Sequence, residues 1–109
     1  MSRAIGNIAE DRACETLRKK GFSIIGRNYN SRFGEIDIIA MRGQVLHFIE
    51  VKSAATFEGA IQNITPAKLQ RILRTTDVYM KHHQLSIDYS IDAVVVTPQN
   101  IEIIENITI

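Results

Sequence analysis

Residues 35–52 constrain the fold more than any other stretch of the chain. Glu35-Ile36-Asp37-Ile38-Ile39-Ala40 and Val45-Leu46-His47-Phe48-Ile49-Glu50-Val51-Lys52 are two segments rich in branched and aromatic residues, separated by Arg42-Gly43. Such residues suit a pleated chain, and a short glycine-containing connection suits an antiparallel hairpin. An isolated hairpin is marginal in water, so the rest of the chain must cover its apolar side. Yet these strands carry Glu35, Asp37, Glu50 and Lys52, and charges in such a setting need a reason. Strand side chains alternate, so Glu35 and Asp37 are expected on one face, and Glu50 and Lys52 on one face. A two-residue turn at Arg42-Gly43 pairs Met41 with Gln44, sets Glu35 opposite Glu50 and Asp37 opposite Phe48, and makes Asp37 and Glu50 diagonal neighbours about 7 Å apart. A four-residue turn gives the same register, whereas a three-residue turn or a bulge separates the faces.

The other elements follow from period and punctuation. Ile5, Ile8, Ala9, Ala13 and Leu17 recur at helical spacing, Gly21 supplies a stop, and Arg18-Lys19-Lys20 suit the last turn, so a helix is expected over residues 5–20. Phe22 to Asn28 reads as a strand and Asn28-Tyr29-Asn30-Ser31 as a turn. Residues 53–64 read as a loop. Thr65-Pro66 opens a second helix as N-cap and first helical residue, running to about His82 with Leu69, Ile72, Leu73, Thr76 and Met80 on one face. Ile91–Thr97 and Ile101–Ile109 are expected strands around a Pro98-Gln99-Asn100 turn. The order is αβββαββ: one α/β domain over residues 1–109 with a mixed sheet.

Length fits this, since 109 residues support one core. The longest apolar runs are four to six residues, too short to span a bilayer, so no membrane is expected. The N-terminus has no apolar signal core, which reads as an unprocessed cytoplasmic protein. Cys14 stands alone, which rules out a disulfide framework or a cysteine metal cluster, and is expected as a packed thiol. Net charge is +1, but it is unevenly spread: residues 1–74 hold 12 basic and 7 acidic residues, and residues 75–109 hold one basic and 5 acidic. A basic body with an acidic tail hints at a polyanion partner.

Close carboxylates repel unless a cation lies between them or one takes a proton. One or two carboxylates, with water and phosphate in the remaining positions, are the usual Mg²⁺ arrangement. Asp37 and Glu50 therefore make a candidate metal pair. Lys52, one pleat beyond Glu50, is placed to hold a water or offset charge on a phosphorane-like transition state. An Asp followed by Glu-x-Lys is the pattern of metal-dependent phosphodiesterases. Glu10 lies beside Leu17 on the helical wheel, at the flank of the apolar stripe, where a carboxylate either leans over the sheet to complete the site, directly or through water, or is a solvated edge residue.

These residues resemble the YraN-like family of small bacterial proteins, predicted endonucleases distantly similar to archaeal Holliday junction resolvases. The likeness runs over roughly residues 6–97. It is carried by Gly6-x-x-Ala9-Glu10-x-x-Ala13, Leu17-x-x-x-Gly21-Phe22, Arg27-Asn28, Arg32-Phe33-Gly34-Glu35-Ile36-Asp37-Ile38-Ile39-Ala40, Phe48-Ile49-Glu50-Val51-Lys52, Thr65-Pro66-x-Lys68-x-x-Arg71-Ile72 and Ile91-Asp92-x-Val94. The resemblance implies a restriction-endonuclease-like fold, a central mixed sheet flanked by helices. It implies Asp37 and Glu50 as metal ligands, Lys52 as the catalytic lysine, Glu10 as the helical acid of the junction resolvases, Mg²⁺ or Mn²⁺ as cofactor, DNA as partner, and a homodimer. Two departures stand out: Ile36 replaces a proline common before the catalytic Asp in the wider group, and Ser53-Ala54-Ala55 replaces basic or polar residues after the Glu-Val-Lys.

Further residues are weighed individually. Arg32, Lys68, Arg71 and Arg74 are candidate phosphate contacts, with a solvated helix lysine the commoner reading for Lys68, and Glu35 is a candidate accessory acid that either faces the site or pairs with a base. Asp92 is expected to be structural. His82 and His83, adjacent on a helix, point about 100° apart and are expected to be solvated or capping rather than ligands of one metal. Tyr29 and Phe33 flank the basic segment; core packing is the commoner use of such rings and base stacking the alternative. The expected function is a metal-dependent nuclease acting on DNA, with branched or distorted DNA among the candidate substrates; the rival is a nucleic-acid-binding or protein-interaction module that keeps the fold without turnover.

Overall fold

The computed structural model describes the backbone of residues 2–108 and the side chains of residues 8–108. The elements are α1 (Ser2–Lys19), β1 (Ser23–Ser31), β2 (Gly34–Arg42), β3 (Val45–Ser53), α2 (Phe57–Gln62), α3 (Pro66–His82), β4 (Tyr89–Val96) and β5 (Ile101–Ile104). One mixed sheet has the order β1-β2-β3-β4-β5. Only β3 and β4 run parallel within it; the other neighbours are antiparallel. The expected mixed α/β architecture and its αβββαββ order are present, with one helix more.

That extra helix, α2, lies within residues 53–64, read from the sequence as a loop. It is six residues long, is capped by the Thr56 hydroxyl accepting from the Gly59 N–H, and buries only Ala60. So short a helix with one buried residue leaves no apolar stripe to find. α3 matches its sequence signals: Thr65 accepts from the Lys68 N–H and Pro66 takes the first helical position.

A hydrophobic cluster lies on each side of the sheet. α1 contributes Ala9, Ala13, Cys14 and Leu17 to one, against Ile38, Ile49 and Val94. α3 contributes Ile72, Tyr79 and Met80 to the other, against Ile36, Ile39, Phe48 and Ile91. Ile8, expected on the inner stripe of α1, is instead 60% exposed. Successive helical residues turn by about 100°, so a face built on Ala9, Ala13 and Leu17 carries Ile8 outward. The side chain of Ile5 lies outside the described residues.

β1 runs three residues further than expected, through Ser31, and the turn is Arg32-Phe33, with Ser31 paired to Gly34. Asn28 stays inside the strand at φ +55, a left-handed conformation that Asn tolerates better than most residues. β5 ends at Ile104 rather than Ile109. Beyond it the Asn106 N–H donates to Asp92 Oδ1, drawing the chain back over β4 and away from the ladder; Ile109 lies outside the described residues.

The β2–β3 connection is a two-residue turn, but it falls on Gly43-Gln44, with Arg42 paired to Val45. Gly43 adopts φ +61 at the first central position, where type II′ hairpins favour glycine. The register is therefore displaced by two residues from the expected one.

Candidate functional site

A two-residue displacement keeps every side chain on its expected face of β3 but changes who faces whom. Ile38 pairs with Ile49 and Ile39 with Phe48. Continued one step, this register sets Asp37 opposite Glu50, not diagonal to it as expected; Glu35 is correspondingly not opposite Glu50. The β2–β3 ladder ends at Ile38–Ile49, although both strands continue. There the Val51 N–H donates to the carboxylate Oδ2 of Asp37, at 2.8 Å. A side chain thus takes the place of a ladder bond, and β2 and β3 part where the acids sit.

The expectation that Glu35 and Asp37 share a face does not hold. Ile36 belongs to the α3-side cluster and Ile38 to the α1-side cluster. Residues two apart that serve opposite faces mark a break in alternation at Asp37. Asn28, with its positive φ, lies between the paired positions Arg27–Ile38 and Tyr29–Ile36, and so beside Asp37 on the neighbouring strand. At this break Asp37 is half-buried, beside Ala9 and Glu10 of α1 around one cavity, and Glu35 is exposed.

Asp37, Glu50, Lys52, Glu10 and Lys68 come together around one cavity of about 420 Å³, along with Ala9, Val51, Ser53 and Asn63. α1 supplies Glu10, β2 Asp37, β3 Glu50 and Lys52, and α3 Lys68. Glu35 and Arg71 fall in an adjoining cavity of about 220 Å³, which Glu50, Lys52 and Lys68 also line. Arg32 and Arg74 do not join these; they flank Phe33 in a separate groove.

The electrostatics of the first cavity are strained. Burial, then the neighbouring Glu50, raise the Asp37 carboxyl from 3.8 to about 7, against the opposing Val51 hydrogen bond; Glu10 and Glu35 add to the rise. Glu50 is partly offset by Lys52, whose Nζ lies 3.1 Å from Oε1. Lys68 is pulled below its ordinary value chiefly by the charge of Lys52 beside it. Three carboxylates and two close ammonium groups thus share one opening. Like charges held together are relieved by a divalent cation on the acid side and an anion on the lysine side. The donors on the acid side are all oxygens, which suits a hard cation such as Mg²⁺ or Mn²⁺.

Two contributors were missed by sequence reasoning. Arg27 of β1 bridges to Glu10 Oε1 at 3.4 Å and to Asp11 Oδ1 at 2.7 Å, so it holds the helical acid against the sheet. Its place in the Arg27-Asn28 pair was the available signal. Asn63 lines the cavity from the segment read as a loop; nothing in that segment marked it.

Another polar group lies away from this cavity. His47, Asp92 and Glu105 bring one possible ligand atom each within 4.8 Å of the others. Each of the three already has a partner, however. Asp92, fully buried, accepts from His47 Nδ1–H, the Ser90 hydroxyl and the Asn106 N–H, and Glu105 pairs with Arg42. The cluster is a satisfied structural network, in keeping with the structural role expected of Asp92.

The two aromatics part ways. Tyr29 packs edge-on to Tyr79, with ring centroids 5.0 Å apart, against the α3-side cluster. Phe33 is in neither hydrophobic cluster. Cys14 is buried, as expected, and burial raises its thiol. His82 closes α3 and His83 caps it. No helix among the described residues is long and apolar enough to cross a membrane.

Comparison with known proteins agrees over the whole chain. A UPF0102 protein of Sulfurimonas denitrificans is 55% identical over 109 residues, covering all of both chains. One of Aliarcobacter butzleri is 50% identical over 109 residues, with 99% of each chain covered, and one of Wolinella succinogenes is 48% identical over 109 residues at full coverage. The model of the uncharacterised protein family UPF0102 matches residues 9–96, a span that contains Glu10, Asp37, Glu50, Lys52 and Lys68. The chain belongs to the UPF0102 family.

Proposed function

We propose that this protein is a metal-dependent nuclease that hydrolyses phosphodiester bonds in DNA, branched or distorted DNA included. The observation that carries the reading is the single cavity in which Asp37, Glu50 and Glu10 face Lys52 and Lys68. A structural role alone gives no reason to crowd a buried acid until its carboxyl rises to about 7. The resemblance of the Phe-Gly-Glu-Ile-Asp and Glu-Val-Lys segments to nucleases of the restriction-endonuclease-like fold supports the same reading.

Asp37 and Glu50 are the residues that would hold Mg²⁺ or Mn²⁺, with Glu10 joining directly or through water. When bound, such an ion would supply Lewis acidity toward the phosphoryl group and activation of the attacking water. The rest falls to the chain itself. The Val51 N–H fixes one Asp37 oxygen, so the carboxylate enters the cavity already oriented. Arg27 fixes Glu10. Lys52 leaves Glu50 for the scissile phosphate, where it orients the attacking water and offsets the charge that grows on the phosphoryl oxygens. Lys68 adds a second ammonium to the phosphate, and Arg71 extends the basic surface along α3. A two-fold dimer would offer two such cavities to a two-fold substrate.

The test is incubation of the pure protein with branched, linear and single-stranded DNA in Mg²⁺ or Mn²⁺, alongside Asp37→Ala and Lys52→Ala. Cleavage by the parent, absent from both variants, is expected. Cleavage that persists in both variants places the activity elsewhere. A parent that binds DNA in a salt-dependent manner but never cleaves it would favour a binding module instead.

A further inference from the structure

Phe33 is a large apolar side chain that the core does not use. It occupies the two-residue turn between β1 and β2, half-buried, outside both hydrophobic clusters. Two guanidinium groups lie against its ring: Arg32 at 4.9 Å from the centroid and Arg74 at 5.7 Å. The three residues line a groove of about 420 Å³, with Lys81 and one acid, Asp77, on its walls.

The arrangement is held in place rather than left loose. The Ser31 and Thr75 hydroxyls are hydrogen-bonded at 2.8 Å, tying the turn to α3. The Phe33 N–H donates to Ser31 Oγ. Gly34 approaches α3 so closely that a Cβ there would meet Arg71 Cβ at 3.3 Å. The turn is thus docked on the helix, and the ring is presented on a rigid support.

An aromatic ring with guanidinium groups over it and a basic wall is chemistry suited to a nucleotide: an arginine that moves off the ring onto a phosphate opens the face to the base, or the guanidinium stacks on the base in turn. We propose that Phe33, Arg32 and Arg74 form a stacking site for an unpaired nucleotide. An accessible base face requires that the nucleotide be out of a duplex, so the substrate class is DNA with a single-stranded or splayed segment. This deepens the nuclease reading and rests on it for one point, the distance to the scissile phosphate. Lys68 and Arg74 are six residues apart on α3, about 9 Å along the helix axis. The stacked base would then lie a few nucleotides from the bond at Asp37 and Glu50.

The chain has no tryptophan, so Phe33→Trp creates a single fluorescent reporter at the site. Titration with a short thymidine oligonucleotide at low salt in EDTA should quench it strongly, and a duplex of equal length should not. By anisotropy, Phe33→Ala should lower the preference for single-stranded over duplex DNA about tenfold, the scale of one base–aromatic stack. Phe33→Leu, which keeps apolar bulk without a π-face, should lose most of the same preference, so loss of packing and loss of stacking are separated. An oligonucleotide that binds without quenching, a Leu variant that binds like the parent, or a parent that binds no oligonucleotide refutes the stacking site. Mn²⁺ binding, compared between the parent and Asp37→Ala, reports separately on the metal site and is indifferent to Phe33.

Discussion

Asp37→Asn should stabilise the metal-free protein while removing its response to a divalent ion. Burial and the neighbouring acids raise the Asp37 carboxyl from 3.8 to about 7 in the folded chain. The unfolded chain releases that proton near the ordinary value for an aspartate. Between these two values the folded state binds more protons than the unfolded one, so stability falls as pH rises from about 4 to about 7 and the full penalty persists above that. A rise from 3.8 to about 7 sets a ceiling of about 4 kcal/mol, since a tenfold change in proton affinity is worth about 1.36 kcal/mol. Asparagine has the same shape, carries no charge, and keeps an oxygen to accept the Val51 N–H. The variant should therefore gain about 2–4 kcal/mol at pH 8 and almost nothing at pH 4. For a chain of this size each kcal/mol is about 4 °C, so Tm at pH 8 should rise by about 8–16 °C. Urea unfolding and thermal melts of both proteins in EDTA at the two pH values measure this. Mg²⁺ at a hundredfold excess over its Kd should then return about 2.7 kcal/mol to the parent and little to the variant. Equal or lower stability of the variant at pH 8, or the same gain at pH 4, refutes the account of a charge held at a cost.

Other outcomes follow from the same geometry. Lys52→Met should lower cleavage at least about a hundredfold while Mn²⁺ binding by calorimetry persists; loss of both would make Lys52 a structural residue. Asp92→Ala should destabilise the fold by about 3–5 kcal/mol in urea, because it strips partners from a buried His, hydroxyl and backbone N–H at once; a loss under about 1 kcal/mol would contradict the network. Lys68→Ala combined with Arg71→Ala should lower the slope of log affinity against log salt by about 2, with little change in preference among DNA sequences; an unchanged slope takes α3 off the DNA path. Sedimentation equilibrium should give a dimer, and a monomer at high concentration would remove the two-site arrangement.

The acidic pocket was legible from the sequence because the acids break rules that strands ordinarily keep. Asp37, Glu50 and Lys52 stand out in apolar segments, and the hairpin alone confines them to one neighbourhood. The two-residue error in register left them together, since a displacement by two preserves the faces of β3. The break in alternation at Asp37 was not legible, because nothing in the residues of β2 marks it; it lies beside the left-handed Asn28 of the adjacent strand. Ile8 misled for a different reason: a helix stripe read from period alone cannot tell which edge of a broad apolar face meets the sheet. α2 was too short to show a period. Phe33 was visible as an aromatic among arginines, but only packing separates it from Tyr29, which the core takes and Phe33 does not join.

The one parallel pairing in the sheet has a consequence for how the chain is made. β1, β2 and β3 form a local meander complete by Ser53, and β4 begins at Tyr89. Until β4 leaves the ribosome, β3 has an open edge beside its apolar Phe48, Ile49 and Val51. Elongation at about 5–20 residues per second keeps that edge uncovered for about two to seven seconds. An uncovered, hydrophobic strand edge pairs readily with another chain. Synthesis that stalls between α2 and β4 would thus yield a species prone to aggregate, with its three acids already placed but its sheet still unsealed.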